Sequence, residues 1–230
     1  MRRLGEYGEK GDYHKELDRK WPYYPVYVTK MEYVDRFMAS VPKKKKVLDV
    51  GCGEGVLVER FRKKGHDIIG LDLNYSSAHV IKGDITRIPF KGGTFDLVLC
   101  LDVLEHLSFA EQELAISEMA RVLKKGGTLF ASIPNLAHFA SRLSFLVTGK
   151  LMRTSSIDRH RGDRPIKEYE KILKNHFHIQ KKKGLFPTYP LTSLITLKMP
   201  GKAVGWHRVM NATLAIPGFC FLNILVCRKK

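Results

Sequence analysis

An open α/β sheet, mostly parallel and flanked by helices, is the fold class the sequence predicts, on three observations. Short apolar runs alternate with segments of helical spacing from residue 47 onward, the pattern of strands joined by crossover helices. The first run passes directly into a glycine-rich loop that opens a helix. Acidic residues then stand at or near the ends of three successive strands, the edge at which open α/β sheets bind ligands.

The elements follow in order. Residues 1–21 are polar and glycine-containing and read as a loose arm, and VYVTKMEYVDRFM (26–38) as a leading helix. Pro42 and the lysines at 43–46 end that helix. Strands are expected at VLDV, DIIGLDL, HVIKGD, FDLVLCL and GTLFASIP, with helices over 56–64 and 109–123. Only residues 74–78 separate the second and third strands, too few for a covering helix, so the leading helix or another subunit is expected to close that face. After Pro134 come a helix over 136–147, a basic polar stretch at 148–165 and a helix over 166–175. The strand FHIQKKK, an apolar and basic insertion over 185–217 and a final strand FCFLNILVCRKK complete seven strands. With 230 residues, 44% of them hydrophobic, the chain can bury one core and reads as a single domain. Its parts are an arm and helix over 1–42, a ligand-binding core over 43–148, and basic insertions at 149–165 and 185–217.

The loop Asp49-Val-Gly51-Cys-Gly53-Glu-Gly55 narrows the ligand. Glycines let a backbone turn tightly and approach a bound molecule. A dinucleotide fingerprint would need glycine at 56, where this chain has Val56. Asp49 would repel a pyrophosphate but suits a ligand carrying an ammonium and a sulfonium. A dehydrogenase is disfavoured.

Through D-x-G-x-G-x-G at Asp49 to Gly55, the chain resembles the class I (Rossmann-like) methyltransferases that use S-adenosyl-L-methionine. The resemblance continues through Asp72, Gly83-Asp84-Ile85, Phe95-Asp-Leu-Val-Leu-Cys-Leu101 and Arg121-Val-Leu-Lys-Lys-Gly-Gly. It implies a seven-stranded sheet with the last strand antiparallel. It also implies cofactor contacts from Asp49, Gly51, Cys52, Gly53, Asp72, Leu73, Asp84, Ile85 and Leu101, with Asp72 on the ribose hydroxyls and Asp84 near the adenine.

Asp102-Val-Leu-Glu105-His106 follows the fourth strand. It is similar to the D/E-x-x-E-H segment of quinone-biosynthesis O-methyltransferases, whose acids and histidine are associated with a metal. Three roles stay open: shaping the pocket, His106 as general base near working pH, or Asp102, Glu105 and His106 as hard ligands for a divalent cation. The base is the role assigned to His106, and no metal is assigned. The Asn/Asp-Pro-Pro-aromatic turn of adenine and glutamine N-methylases is missing after this strand, and the Pro-Cys of pyrimidine C5-methylases occurs nowhere. Asn135 is expected to cap the next helix; by the resemblance, it and His138 face the substrate. Tyr23, Tyr24 and Tyr27 either pack or close over the cofactor.

Charge is distributed unevenly. The net of +17 divides into +3 for residues 1–141 and +14 for 142–230, and no acid follows Glu170. An anionic partner near the C-terminal half is one reading and a solvated face the other. Apolar residues interleaved with the lysines of 185–217 suit a cap over the substrate, a lipid-like substrate or an anionic membrane surface. Four scattered cysteines and an N-terminus without an apolar run predict a reduced, cytoplasmic protein, at most peripheral to a membrane. The function expected is methyl transfer to a small-molecule or lipid-like acceptor. RNA methylation and a non-catalytic, cofactor-binding partner subunit are the alternatives, and a homodimer is compatible with each.

Overall fold

The computed structural model describes residues 17–153 and 158–230; most of the expected N-terminal arm and part of the 149–165 insertion lie outside them. Helix α1 (Tyr24–Ser40) precedes β1 (Lys46–Val50), α2 (Val56–Lys63), β2 (Asp67–Asp72), β3 (Val80–Lys82) and β4 (Phe95–Leu101). Next come α3 (Phe109–Val122), β5 (Leu123–Pro134), α4 (Phe139–Thr148) and α5 (Ile166–Leu173). The chain closes with β6 (Phe177–Pro187), α6 (Pro190–Lys198), α7 (Val204–Thr213) and β7 (Cys220–Lys229).

The seven strands form one sheet in the order β3-β2-β1-β4-β5-β7-β6. β7 runs antiparallel to both its neighbours, and the other pairings are parallel. The expected sheet, with its last strand reversed, is therefore present. Strand order reverses between β1 and β4, and the crevice at their carboxyl ends is where such sheets accept ligands.

Alternating burial divides each strand between two cores. On one face Leu48, Val98, Leu129 and Leu225 pack against α3 and α5. On the other, Val47, Ile68, Leu97 and Phe130 pack against α1 and α2. Helix α3 begins at Ser108 with a capping box: the serine hydroxyl accepts from the Glu111 backbone, and the Glu111 carboxylate accepts from the Ser108 backbone. This device commonly holds a helix start by about 1 kcal/mol.

Several expectations are corrected. No helix joins β2 and β3, as expected, and α1 shares with α2 the core that covers Ile68 of β2. It lies beside α2, joined by the Asp35–Arg60 ion pair, and stacks Phe37 on Phe130 of β5. Val80 of β3 packs close against the glycine loop and β2: a Cβ on Gly55 or Gly70 would meet its methyl at 2.5 or 3.1 Å. β3 is only three residues long and stops before Asp84, because its partner β2 ends at Asp72, opposite Lys82. The 185–217 insertion is partly strand, since β6 continues to Pro187, and the remainder contains α6 and α7. Helix α4 starts at Phe139 rather than 136, capped by His138 through its Nδ1.

Candidate functional site

The glycine loop is held in a conformation that its sequence alone permits. Gly51, Gly53 and Gly55 all have positive φ, at 68°, 57° and 85°, where other residues are strained. A Cβ on Gly51 would also stand 2.5 Å from a Val103 methyl. The Leu71 carbonyl accepts from the Gly51 and Cys52 backbones at 2.7 and 3.4 Å. Asp72 completes the anchor: Oδ2 accepts from the Gly53 backbone and Oδ1 from the Asn74 backbone, each at 2.8 Å. The carboxylate expected at a ligand therefore also ties the loop to the end of β2.

Asp49 lies beneath this loop, 2% exposed, and its Oδ2 has no hydrogen-bond partner. Burial, and secondarily the Asp72 carboxylate, push its pKa up to about 7. A buried acid with an orphaned oxygen is costly unless something positive satisfies it. Leu73 is exposed beside Asp72 and Ile85 is buried in the core. Leu101, at the end of β4, is half-buried. Asp84 is exposed, its Oδ1 accepting from the backbone and hydroxyl of Thr86.

A cavity of about 200 Å³ opens across the Asp102–Val103 segment from this loop. Trp21, Tyr23 and Tyr27 on the α1 side and Phe221 of β7 form its walls, and Lys30, Asp102, Glu105 and His106 supply polar groups. Asp102 has a φ of 55°, a left-handed conformation that aspartate tolerates better than most residues. Its Oδ2 pairs with Lys30 Nζ at 2.5 Å and its Oδ1 accepts from Ser132 Oγ at 2.5 Å. The Lys30 side chain is 4% exposed. Sequence reasoning missed it, although its signal is visible: Val26, Lys30, Val34 and Met38 recur every four residues on the buried face of α1.

Glu105 is buried, its Oε2 without a hydrogen-bond partner, and burial followed by the Asp102 charge raises its pKa well above the ordinary carboxylate range. His106 Nδ1 lies 3.1 Å from the Arg159 carbonyl oxygen. A carbonyl can only accept, so Nδ1 carries a proton in this contact and Nε2 is the nitrogen that can serve as a base. His160, also unforeseen, meets the His106 ring edge-on with centroids 4.8 Å apart. Glu105, His106 and His160 bring one donor atom each within 4.8 Å of one another and could hold a cation. Asp102 is not in that set, being committed to Lys30 and Ser132.

Asn135 and His138 do not line the cavity. Asn135 accepts from the Ala137 and Ile166 backbones and donates to the Gly218 and Cys220 carbonyls. It latches three segments, takes the first backbone N–H of α5 and does not cap α4. His138 accepts from the Thr188 hydroxyl as well as from Ser141, and burial lowers its pKa to about 4. Tyr23 and Tyr27 line the cavity, and Tyr24 does not.

Residues 48–131 match the family model described as a methyltransferase domain. Among proteins of similar sequence, the ubiquinone biosynthesis O-methyltransferase of Aliivibrio fischeri is 30% identical over 191 residues, covering 74% of this chain and 78% of that protein. The same-named protein of Acinetobacter baylyi is 27% identical over 140 residues, covering 54% and 56%. The chain spans about half the length of several curated relatives it matches. A crystal structure of an S-adenosylmethionine-dependent methyltransferase from Archaeoglobus fulgidus superposes with a TM-score of 0.60 at 17% identity, covering 95% of this chain and all of that one; this likeness bears on the fold.

Proposed function

The chain belongs to the class I S-adenosylmethionine-dependent methyltransferases, and from that premise we propose that it methylates a hydroxyl oxygen of a small, ring-bearing acceptor held between α1 and β7. The aromatic-walled cavity with a histidine whose Nδ1 meets a backbone carbonyl, one residue segment away from the glycine loop, carries this reading. Engineered cavities of about 150 Å³ hold one benzene ring, so the space here suits a ring with one or two substituents.

The cofactor fits the residues present. The unpartnered Asp49 oxygen meets the need of a cationic head, Asp72 offers carboxylate lone pairs to a ribose, and exposed Leu73 offers an apolar face to a base. When bound, S-adenosylmethionine supplies a methyl group on a positively charged sulfur, already activated for displacement. The chain's remaining task is to align the acceptor and take its proton. His106 Nε2 would take the acceptor's hydroxyl proton as the oxygen accepts the methyl group. The Arg159 carbonyl fixes the ring and stabilises the imidazolium. The Lys30–Asp102 pair holds the cavity floor polar yet neutral overall. The similarity to ubiquinone biosynthesis O-methyltransferases supports an oxygen acceptor.

The test is transfer of a labelled methyl group to a panel of phenols and catechols, with mixed RNA in parallel. Label is expected in the phenols, with a loss of about 10²–10⁴-fold in turnover for His106→Gln and unchanged cofactor affinity. Label confined to RNA would replace the acceptor assigned here, and full turnover in His106→Gln would remove the base.

A further inference from the structure

Thirteen of the seventeen large apolar side chains exposed among the described residues fall between positions 143 and 216. On α4, Leu146 and Val147 are 82% and 77% exposed. On α6, Leu191, Leu194 and Leu197 line up at three-residue spacing, all exposed. Three contacts join these parts into one surface. The Phe139 ring lies 5.0 Å from that of Tyr189, the Tyr189 hydroxyl donates to the Leu214 carbonyl, and Arg142 sits over Phe219.

The charge on this surface has one sign. Residues 139–153 and 188–219 contain lysines and arginines and no acid. At the end of α6 a cleft of about 380 Å³ gathers Arg19, Lys20, Lys198 and Lys202 around exposed Leu197 and Met199. None of these four cations is paired with a carboxylate among the described residues.

We propose that the face formed by α4, α6 and the turn after α7 docks on anionic phospholipid bilayers, the four-cation cleft receiving lipid phosphates while the leucines enter the acyl boundary. Apolar insertion and attraction to anionic headgroups act together on such a surface. A second copy of this chain is the poorer occupant, since a two-fold contact would set an acid-free basic face against itself. RNA would use the charge and leave the leucines in water. Beneath this face the buried His138 ring lies 5.8 Å from that of Phe221, which lines the cavity. Docking does not depend on the acceptor assigned above.

Flotation of the full chain with phosphatidylcholine vesicles, with and without phosphatidylglycerol, tests this directly. Binding is expected only with the anionic lipid. Lys198→Ala with Lys202→Ala should weaken it about thirtyfold, at roughly one headgroup attraction per lysine. Leu146→Ser with Val147→Ser should weaken it tenfold or more. Both double variants should keep wild-type cofactor affinity by calorimetry, which shows that they fold. Wild-type protein that ignores anionic vesicles, binds both vesicle types equally, or retains its vesicle affinity in both double variants overturns the proposal. So does a stable dimer in solution that the leucine and valine substitutions dissociate.

Discussion

Replacing Asp49 with asparagine removes one buried charge and preserves the shape of the side chain. Burial and the nearby Asp72 raise the Asp49 pKa to about 7, against about 3.9 for a free aspartate. Because the folded-state value is the higher one, the folded chain binds the proton more tightly. Its stability is therefore undiminished below about pH 4 and falls as pH rises from there through about 7. Three units correspond to at most about 4 kcal/mol lost above neutrality. The Asp49→Asn chain escapes that loss. Without ligand near pH 8 it should melt higher than wild type, by about 2–4 °C for each kcal/mol in a chain of this size. Near pH 4 the two should melt together. Cofactor binding should move the other way, because the orphaned oxygen would lose its ionic partner: affinity near pH 8 should fall about ten- to a hundredfold. Wild-type affinity should also rise with pH toward neutrality while the variant's stays flat. Scanning and titration calorimetry across this range read both effects. Identical melting near pH 8, together with unchanged affinity, would refute the placing of a buried, ligand-directed charge at Asp49.

Other outcomes follow from the same geometry. Asp72→Ala removes the acceptors of the Gly53 and Asn74 backbones, so it should lower stability by about 1–3 kcal/mol in denaturant titrations and cofactor affinity tenfold or more. Lys30→Met should destabilise the chain by about 1–3 kcal/mol by leaving Asp102 half-paired, and Lys30→Met with Asp102→Asn should recover most of it; additive losses would show that the two residues do not interact. Excess EDTA should leave methyl transfer intact, because in the proposed mechanism His106 Nε2 serves the acceptor's proton and not a cation; a collapse reversed by magnesium would instead assign Glu105, His106 and His160 to a cation.

Much of the sheet was legible because β1, β2 and β4 are mostly apolar runs, broken by Asp49, Gly70 and Asp96, that end at acids or glycines. The glycine loop was legible for a similar reason, since its spacing reflects three positive φ angles that few other residues adopt. The C-terminal third was less so. Helices α6 and α7 contain proline, glycine and apolar residues on both faces, so no single stripe marks them. At the start of α4, Asn135 and His138 are both plausible caps, and the choice was made by Gly218, Cys220 and Ile166, more than thirty residues away in sequence. In the cavity, the pairing of Lys30 with Asp102 spans 72 positions. Periodicity could flag a lysine on an apolar face but could not name its partner. His160 lies in a basic stretch without periodicity, and only the fold brings it against His106.

The most direct measurement is a crystal structure of the chain with S-adenosylhomocysteine. The ligand's amino group is expected to meet the buried Asp49 carboxylate and its ribose Asp72, with the sulfur facing the cavity between Tyr27, His106 and Phe221. A ligand bound with its sulfur turned away from that cavity, or outside the 51–55 loop altogether, would contradict both the cofactor site and the acceptor pocket assigned here.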